Sequence, residues 1–348
     1  MKKADTDIRL LIAFVILLAV TTISAHFFRK PLPLPYTDDM HEAVTLAENM
    51  FGVIDRLKKE RNIRSDAHSN VPYNYMIGNE WSEITTTLGS LDSKETSTNP
   101  DFAALIVRLL NEAGISSGDT VGVILSGSFP SLAISALAAL QTMEIEPVVM
   151  SSVGASTYGA NQPGATWIDM ETALRQNGLR FKSVLISVGA GGDTGEGLLP
   201  EGMAAIVSAA HRNHVELFVP ANLQESILKR EVIFREANIS LLINIGGNET
   251  ALGGCSHALG IPNGLSYTMT HCNDGDRGLI SRLNESGIPF INMLDIKDLA
   301  SRYGIAVAPG TGYSESTNLY SATTTRKGVL AVILAVTLIP VFFLIRKR

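Results

Sequence analysis

Four short segments of this chain combine glycine and serine in a way that suits close contact with a small ligand. They are Ser126-Gly127-Ser128, Ser151 to Ala155, Gly189-Ala190-Gly191-Gly192-Asp193 and Gly246-Gly247-Asn248. Glycine lets the backbone approach a bound group, and the start of a following helix offers unpaired N–H groups to an anion. Ser126-Gly127-Ser128 fits this description best, because Pro130 follows at what reads as the first turn of a helix. The candidate ligand-binding residues are therefore Ser126, Gly127, Ser128, Ser152, Gly189, Gly192, Asp193, Gly246, Gly247 and Asn248. One such loop would mean little, since tight turns and helix caps use the same residue types. Four at strand ends of one sheet carry more weight, because ligands of open α/β sheets bind beyond the carboxyl ends of the strands.

The catalytic and cofactor signals are weaker. Asp193 and Glu196 place carboxylates on a glycine loop, which suits polarising a substrate or holding a metal, but such carboxylates more often face solvent. Ser128 lacks the Gly-x-Ser-x-Gly elbow of a serine hydrolase, and none of the seven histidines is marked as its base. No segment has the spacing of a P-loop or of a dinucleotide fingerprint, so no cofactor is assigned. Cys255 and Cys272 lie beside His257 and His271. Zinc is conceivable from the ligand types, but the spacing fits no familiar structural class. A disulfide between Cys255 and Cys272 is the preferred reading outside the cytoplasm, with free thiols next, and no metal is assigned.

The elements that position these loops follow from periodicity. Met40, Ala43, Val44, Ala47, Met50, Phe51, Ile54 and Leu57 recur at spacings of three and four, which predicts an amphipathic helix with Lys58, Lys59, Glu60 and Arg61 on its solvated face. Residues 62–100 are polar with little periodicity, and a segment of that length is either functional or partly ordered. From Phe102 to Ala113 an apolar helix is expected. Strands then follow at Val121 to Leu125, Pro147 to Ser151, Ser183 to Val188, Leu217 to Pro220, Leu241 to Ile245 and Pro289 to Leu294. Helices are expected between them at Pro130 to Met143, Met203 to Arg212, Leu223 to Ala237 and Leu279 to Glu285. Alternation at this spacing predicts an α/β domain with a mostly parallel, doubly wound sheet.

Composition places that domain. The 348 residues carry 28 Lys+Arg and 34 Asp+Glu, a net charge of -6, with 45% hydrophobic residues and 18% charged. Leu10 to Phe28 holds no charged residue, nor does Gly328 to Ile345, and each run is long enough to cross a bilayer core. Transmembrane helices are thus expected at 10–28 and 328–345, flanking a proline-rich spacer at 29–39 and an α/β domain at 40–325. The tails 1–9 and 346–348 carry three Lys or Arg each against two on each inner flank, which places both termini in the cytoplasm and the domain outside it, on the plasma membrane. Residues 1–30 and 326–348 hold ten basic and two acidic residues, +8, leaving 18 basic and 32 acidic, -14, on the central domain. Such a surface argues against nucleic acid as a partner.

A longer pattern resembles a known family. Gly78-Asn79-Glu80-Trp81-Ser82, Thr85 to Leu91, Lys94 and Thr98-Asn99-Pro100-Asp101-Phe102 lead into Gly118-Asp119-Thr120-Val121-Gly122 and Ser126 to Pro130. With Asn244 to Asn248 and Gly287-Ile288-Pro289, this is similar to the poly-gamma-glutamate system proteins over roughly residues 40–310. Near Tyr303-Gly304-Ile305 the chain departs from the family pattern. The resemblance implies an accessory protein of poly-gamma-glutamate synthesis or export, with that machinery as partner and the polymer as a further candidate; it implies no catalytic residues. It also gives the segment around 80–100 a purpose: Glu80, Thr86 and Lys94 are read as a lid over the strand ends. An enzyme acting through the Ser126 to Ser128 turn and a purely structural scaffold stay open as alternatives. Val121 to Ser152 weakly resembles a phosphosugar-binding core, although the Gly-Glu-Thr expected after the serines is missing.

Overall fold

The computed structural model describes residues 14–16, 19, 29–254, 260–271, 275–313, 316 and 318–325. Strand β1 (Arg29–Pro33) opens this part of the chain, followed by helices α1 (Thr37–Glu60), α2 (Leu91–Ser97) and α3 (Asp101–Glu112). Strands and helices then alternate: β2 (Thr120–Ser126), α4 (Pro130–Thr142), β3 (Glu146–Ser152), α5 (Trp167–Gln176), β4 (Ser183–Ser187), α6 (Pro200–Arg212), α7 (Leu223–Glu236) and β5 (Leu241–Ile245). The remaining elements are α8 (Glu249–Leu252), β6 (Gly264–Ser266), α9 (Leu279–Asn284), β7 (Phe290–Met293), α10 (Ile296–Tyr303) and β8 (Ser321–Thr325).

One compact unit, residues 36–319, contains the sheet β4-β3-β2-β5-β7-β6. All neighbours are parallel except β6, which runs antiparallel to β7. The chain enters at β2, winds outward through β3 to β4, then returns to the other side of β2 with β5 and β7. The direction of winding therefore reverses between β2 and β5, where such sheets open a crevice. β2 and β5 are buried along nearly their whole length, as parallel strands covered on both faces must be. α4 is apolar around its circumference because α1 and α3 pack over it. Register aligns Ser126 with Ser152 and Ser152 with Ser187, which sets three serines in a row at the carboxyl ends of adjacent strands.

The second unit contains β1 and β8, paired antiparallel with Arg29 opposite Thr325 and Pro33 opposite Ser321. Part of the segment read as a polyproline spacer is therefore a strand. The apolar runs at 10–28 and 328–345 lie almost wholly outside the described residues, and among the described residues no helix is long and apolar enough to cross a membrane. Cys255 and Cys272 also lie outside the described residues.

Several local expectations change. Leu217 to Pro220 forms a single bridge, Ser187 with Phe218, instead of a strand. It runs half-exposed along the sheet edge and ends in Pro220, which has no N–H to extend a ladder. Lys58 is buried rather than solvated, with its Nζ donating to Ile77 O at 3.3 Å, because the 62–100 segment covers that side of α1. Arg61 is likewise engaged, pairing with the buried Asp169 at 2.9 Å. The 62–100 segment itself contains α2 and a single turn of tighter helix, Asn74–Met76.

Candidate functional site

At the carboxyl ends of β2, β3, β4 and β5 a cleft of about 720 Å3 opens. Ser126, Ser128, Ser152, Gly189, Gly192, Asp193, Gly247 and Asn248 all line it, so the four loops converge on one space. Gly127 and Gly246 stand behind its wall. A Cβ on Gly127 would come within 2.8 Å of Val153 O, and Gly246, at φ +89°, packs against the Phe129 ring and Ser126 Oγ. These two glycines are needed for close packing of the loops.

The loop after β3 carries most of the geometry. Its Ser156 N–H donates to Ser128 Oγ at 3.0 Å, and its Ala160 N–H to Gly127 O at 2.7 Å, locking it to the turn after β2. From the other side the 84–89 segment grips it. Thr86 N–H donates to Ala155 O (2.9 Å) and Thr157 N–H to Thr87 O (3.0 Å). Gly89 N–H donates to Thr157 Oγ1 (2.6 Å), and that hydroxyl is within 3.0 Å of Gly89 O. The segment read as a lid is thus a wall of the cleft, fixed by backbone hydrogen bonds. Thr86 and Lys94 line it, whereas Glu80 lies apart, exposed, its N–H bonded to Asp66 Oδ1 at 2.7 Å.

Two expected ligand groups have their side chains engaged elsewhere. The Asp193 carboxylate is buried and turned away from solvent, accepting from Ser187 Oγ and Ser226 Oγ at 2.6 Å each and pairing with Arg230 at 2.9 Å. It braces the loop after β4, where Ala190 and Asp193 both take positive φ, instead of presenting a charge to a ligand or a metal. Asn248 caps α8 by accepting from Ala251 N–H at 3.2 Å. The turn before it is set by buried Asn244, whose Nδ2 donates to Gly246 O at 2.9 Å and to Asn292 Oδ1 at 2.8 Å. Among the described residues no group of three or more His, Cys, Asp or Glu is arranged to hold a metal.

Lys94 is the cleft's basic group. It is buried, only 2% exposed, with its Nζ on Ser128 O, 2.8 Å from Ser156 Oγ and 3.7 Å from the centroid of the Phe129 ring. Burial pushes its pKa down to about 7. Glu196 and Glu249 stand exposed on the cleft lining, Glu249 accepting from Gly192 N–H at 2.7 Å. The interior is therefore lined by hydroxyls and one weakly basic amine, and its edge is acidic.

No family model, curated protein or solved structure matches the chain. Sequence reasoning missed Ser156, Phe129 and Glu249, which line the cleft beside the expected residues. Ser156 follows directly on the flagged Ser151 to Ala155 loop. The only signal for it was a glycine on either side, Gly154 and Gly159.

Proposed function

We propose that this chain is a membrane-anchored accessory protein of poly-gamma-glutamate synthesis or export, whose α/β domain works by binding a polar ligand or a partner's polar segment at the glycine- and serine-rich strand ends. The convergence of four such loops on one cleft at the reversal point of the sheet is the observation that carries the binding half of this reading. The polymer half rests on the resemblance of residues 40–310 to the poly-gamma-glutamate system proteins. Anchoring at 10–28 and 328–345 is supported by the uncharged length of both runs and by β1 and β8, whose pairing sets Arg29 opposite Thr325, the strand residues nearest the two runs. That arrangement suits termini sharing the cytoplasmic side and a domain outside it.

Charge narrows the mode of contact. A domain of net -14 whose cleft edge carries Glu196 and Glu249 repels an extended polyanion. The cleft accordingly takes an uncharged or cationic polar group, such as an amide segment or an amine end. Deleting the gene in polymer-producing cells and measuring surface and released polymer tests the reading. Reduced output is expected, and normal amounts of both would overturn it.

A further inference from the structure

We infer that Ser156 is a nucleophile and Lys94 its general base, making the cleft a site of acyl transfer on an amide or ester. The inference rests on the ligand-binding reading of the cleft and adds chemistry to it. Ser156 Oγ and Lys94 Nζ lie 2.8 Å apart, within the range over which a base takes a hydroxyl proton. Both side chains are buried and both line the cleft, so the pair faces the space a substrate would fill.

Three features position the pair. Ser128 O holds Lys94 Nζ, while Ser128 Oγ accepts from Ser156 N–H, so one residue orients both partners. The backbone of Gly89 lies over them: a Cβ there would stand 3.1 Å from Ser156 Oγ and 3.3 Å from Lys94 Cε. The 153–161 loop is held from both sides by backbone hydrogen bonds, so Ser156 is not on a free loop. A neutral Lys94 fits this surrounding. Its Nζ donates to Ser128 O and to Ser156 Oγ; the neutral amine keeps an N–H for Ser128 O and has a lone pair to accept the Ser156 proton across the same 2.8 Å.

The charged groups around Lys94 are Asp92 and Glu95 on its own helix, and Glu196, Glu249 and the Asp193–Arg230 pair across the cleft. Burial is the cause of its lowered pKa, which brings the neutral amine within reach near neutrality. In the first step Ser156 Oγ bonds to the carbonyl carbon and its proton passes to Lys94. The bond to the leaving amine or alcohol then breaks as that group takes the proton from Lys94. Water next attacks the acyl-serine, gives a proton to Lys94 and releases a carboxylic acid, and Ser156 recovers its proton. The acidic edge suits a substrate with an uncharged or cationic group beside the reacting carbonyl.

The test treats the full chain in detergent with a fluorophosphonate, which modifies activated serines with loss of fluoride, and maps the adduct by peptide mass. One adduct is expected, on Ser156, with a rate that rises about tenfold from about pH 6 to about pH 8 as Lys94 loses its proton. Ser156→Ala is expected to abolish it, and Lys94→Met to slow it at least tenfold in protein that melts as a folded chain. No adduct on Ser156, a rate flat across that pH range, or full labelling of folded Lys94→Met would overturn the inference. If Lys94→Met does not fold, the wild-type pH profile decides. Unlabelled protein in cells whose polymer depends on the chain overturns the Ser156–Lys94 pair alone, whereas labelled protein in cells indifferent to its deletion overturns the polymer role alone.

Discussion

Lys58 and Lys94 are both buried, and burial brings the pKa of each down to about 7. An unfolded lysine holds its proton to about pH 10.4. The folded chain therefore binds fewer protons than the unfolded chain between these values, and stability rises with pH across that window. Each lysine is expected to contribute on the order of 2 kcal/mol of added stability between about pH 7 and about pH 9. Above about pH 10 the trend reverses, because Tyr75 and Tyr313 titrate near 12 in the fold, raised first by burial, and ordinarily only in the unfolded chain. Thermal midpoints across this range check the prediction, and a midpoint at pH 9 no higher than at pH 7 would contradict it. Lys58→Met should remove about half of the rise. Neither lysine's burial was legible in the sequence: Lys58 sits beside Lys59 and Glu60 on what reads as a polar face, and the segment that covers it carries no periodicity.

Elements are joined by polar residues whose work becomes visible only in three dimensions. Asp169 completes a capping box on α5 with Thr166 and accepts from Arg61 at the end of α1, Arg212 of α6 and Asn213. Burial pushes its carboxyl up, but hydrogen bonds from Arg212, Arg61, Asn213 and Thr166 more than reverse this and hold it below the ordinary range. Its contribution is present above about pH 4 and is lost as pH falls through the lower folded value. Asp169→Asn is expected to cost about 3 kcal/mol at neutral pH in urea unfolding and to lessen the acid-side loss. Gly78 shows the same dependence on remote partners. A Cβ there would stand 1.8 Å from Gly159 O, so Gly78→Ala must displace the loop that carries Ser156. It should destabilise the fold by about 1–3 kcal/mol and abolish fluorophosphonate labelling of Ser156.

These cases explain how far sequence reasoning reached. Strands β2, β3, β4, β5 and β7 were legible because buried parallel strands leave apolar runs bounded by turn residues, and the binding loops because their glycines and serines end those runs. The 62–100 segment was not, because Asn79, Thr85, Asn161 and Gln162 are chosen to bond one loop to another. Short β6 left no signal of its own, being three residues paired to β7, whereas Leu217 to Pro220 has a strand-like pattern that yields only the Phe218 bridge.

At the scale of the whole molecule, charge and topology divide the work. The acidic domain holds its one buried cleft lysine at the reversal point of the sheet, while the +8 of the flanking segments lies at the two apolar runs. On the proposed reading this keeps a polyanionic product off the domain surface and confines contact to the cleft. The most direct test fills that cleft without touching its chemistry. Ser93 lines it and is only half-buried, so Ser93→Trp adds bulk there with little strain expected in the core. Polymer output is then measured in deletion cells that express either wild-type chain or Ser93→Trp at equal level and with equal melting temperature. Wild type should restore output and Ser93→Trp should not; full restoration by Ser93→Trp would contradict the claim that the cleft is where this protein acts.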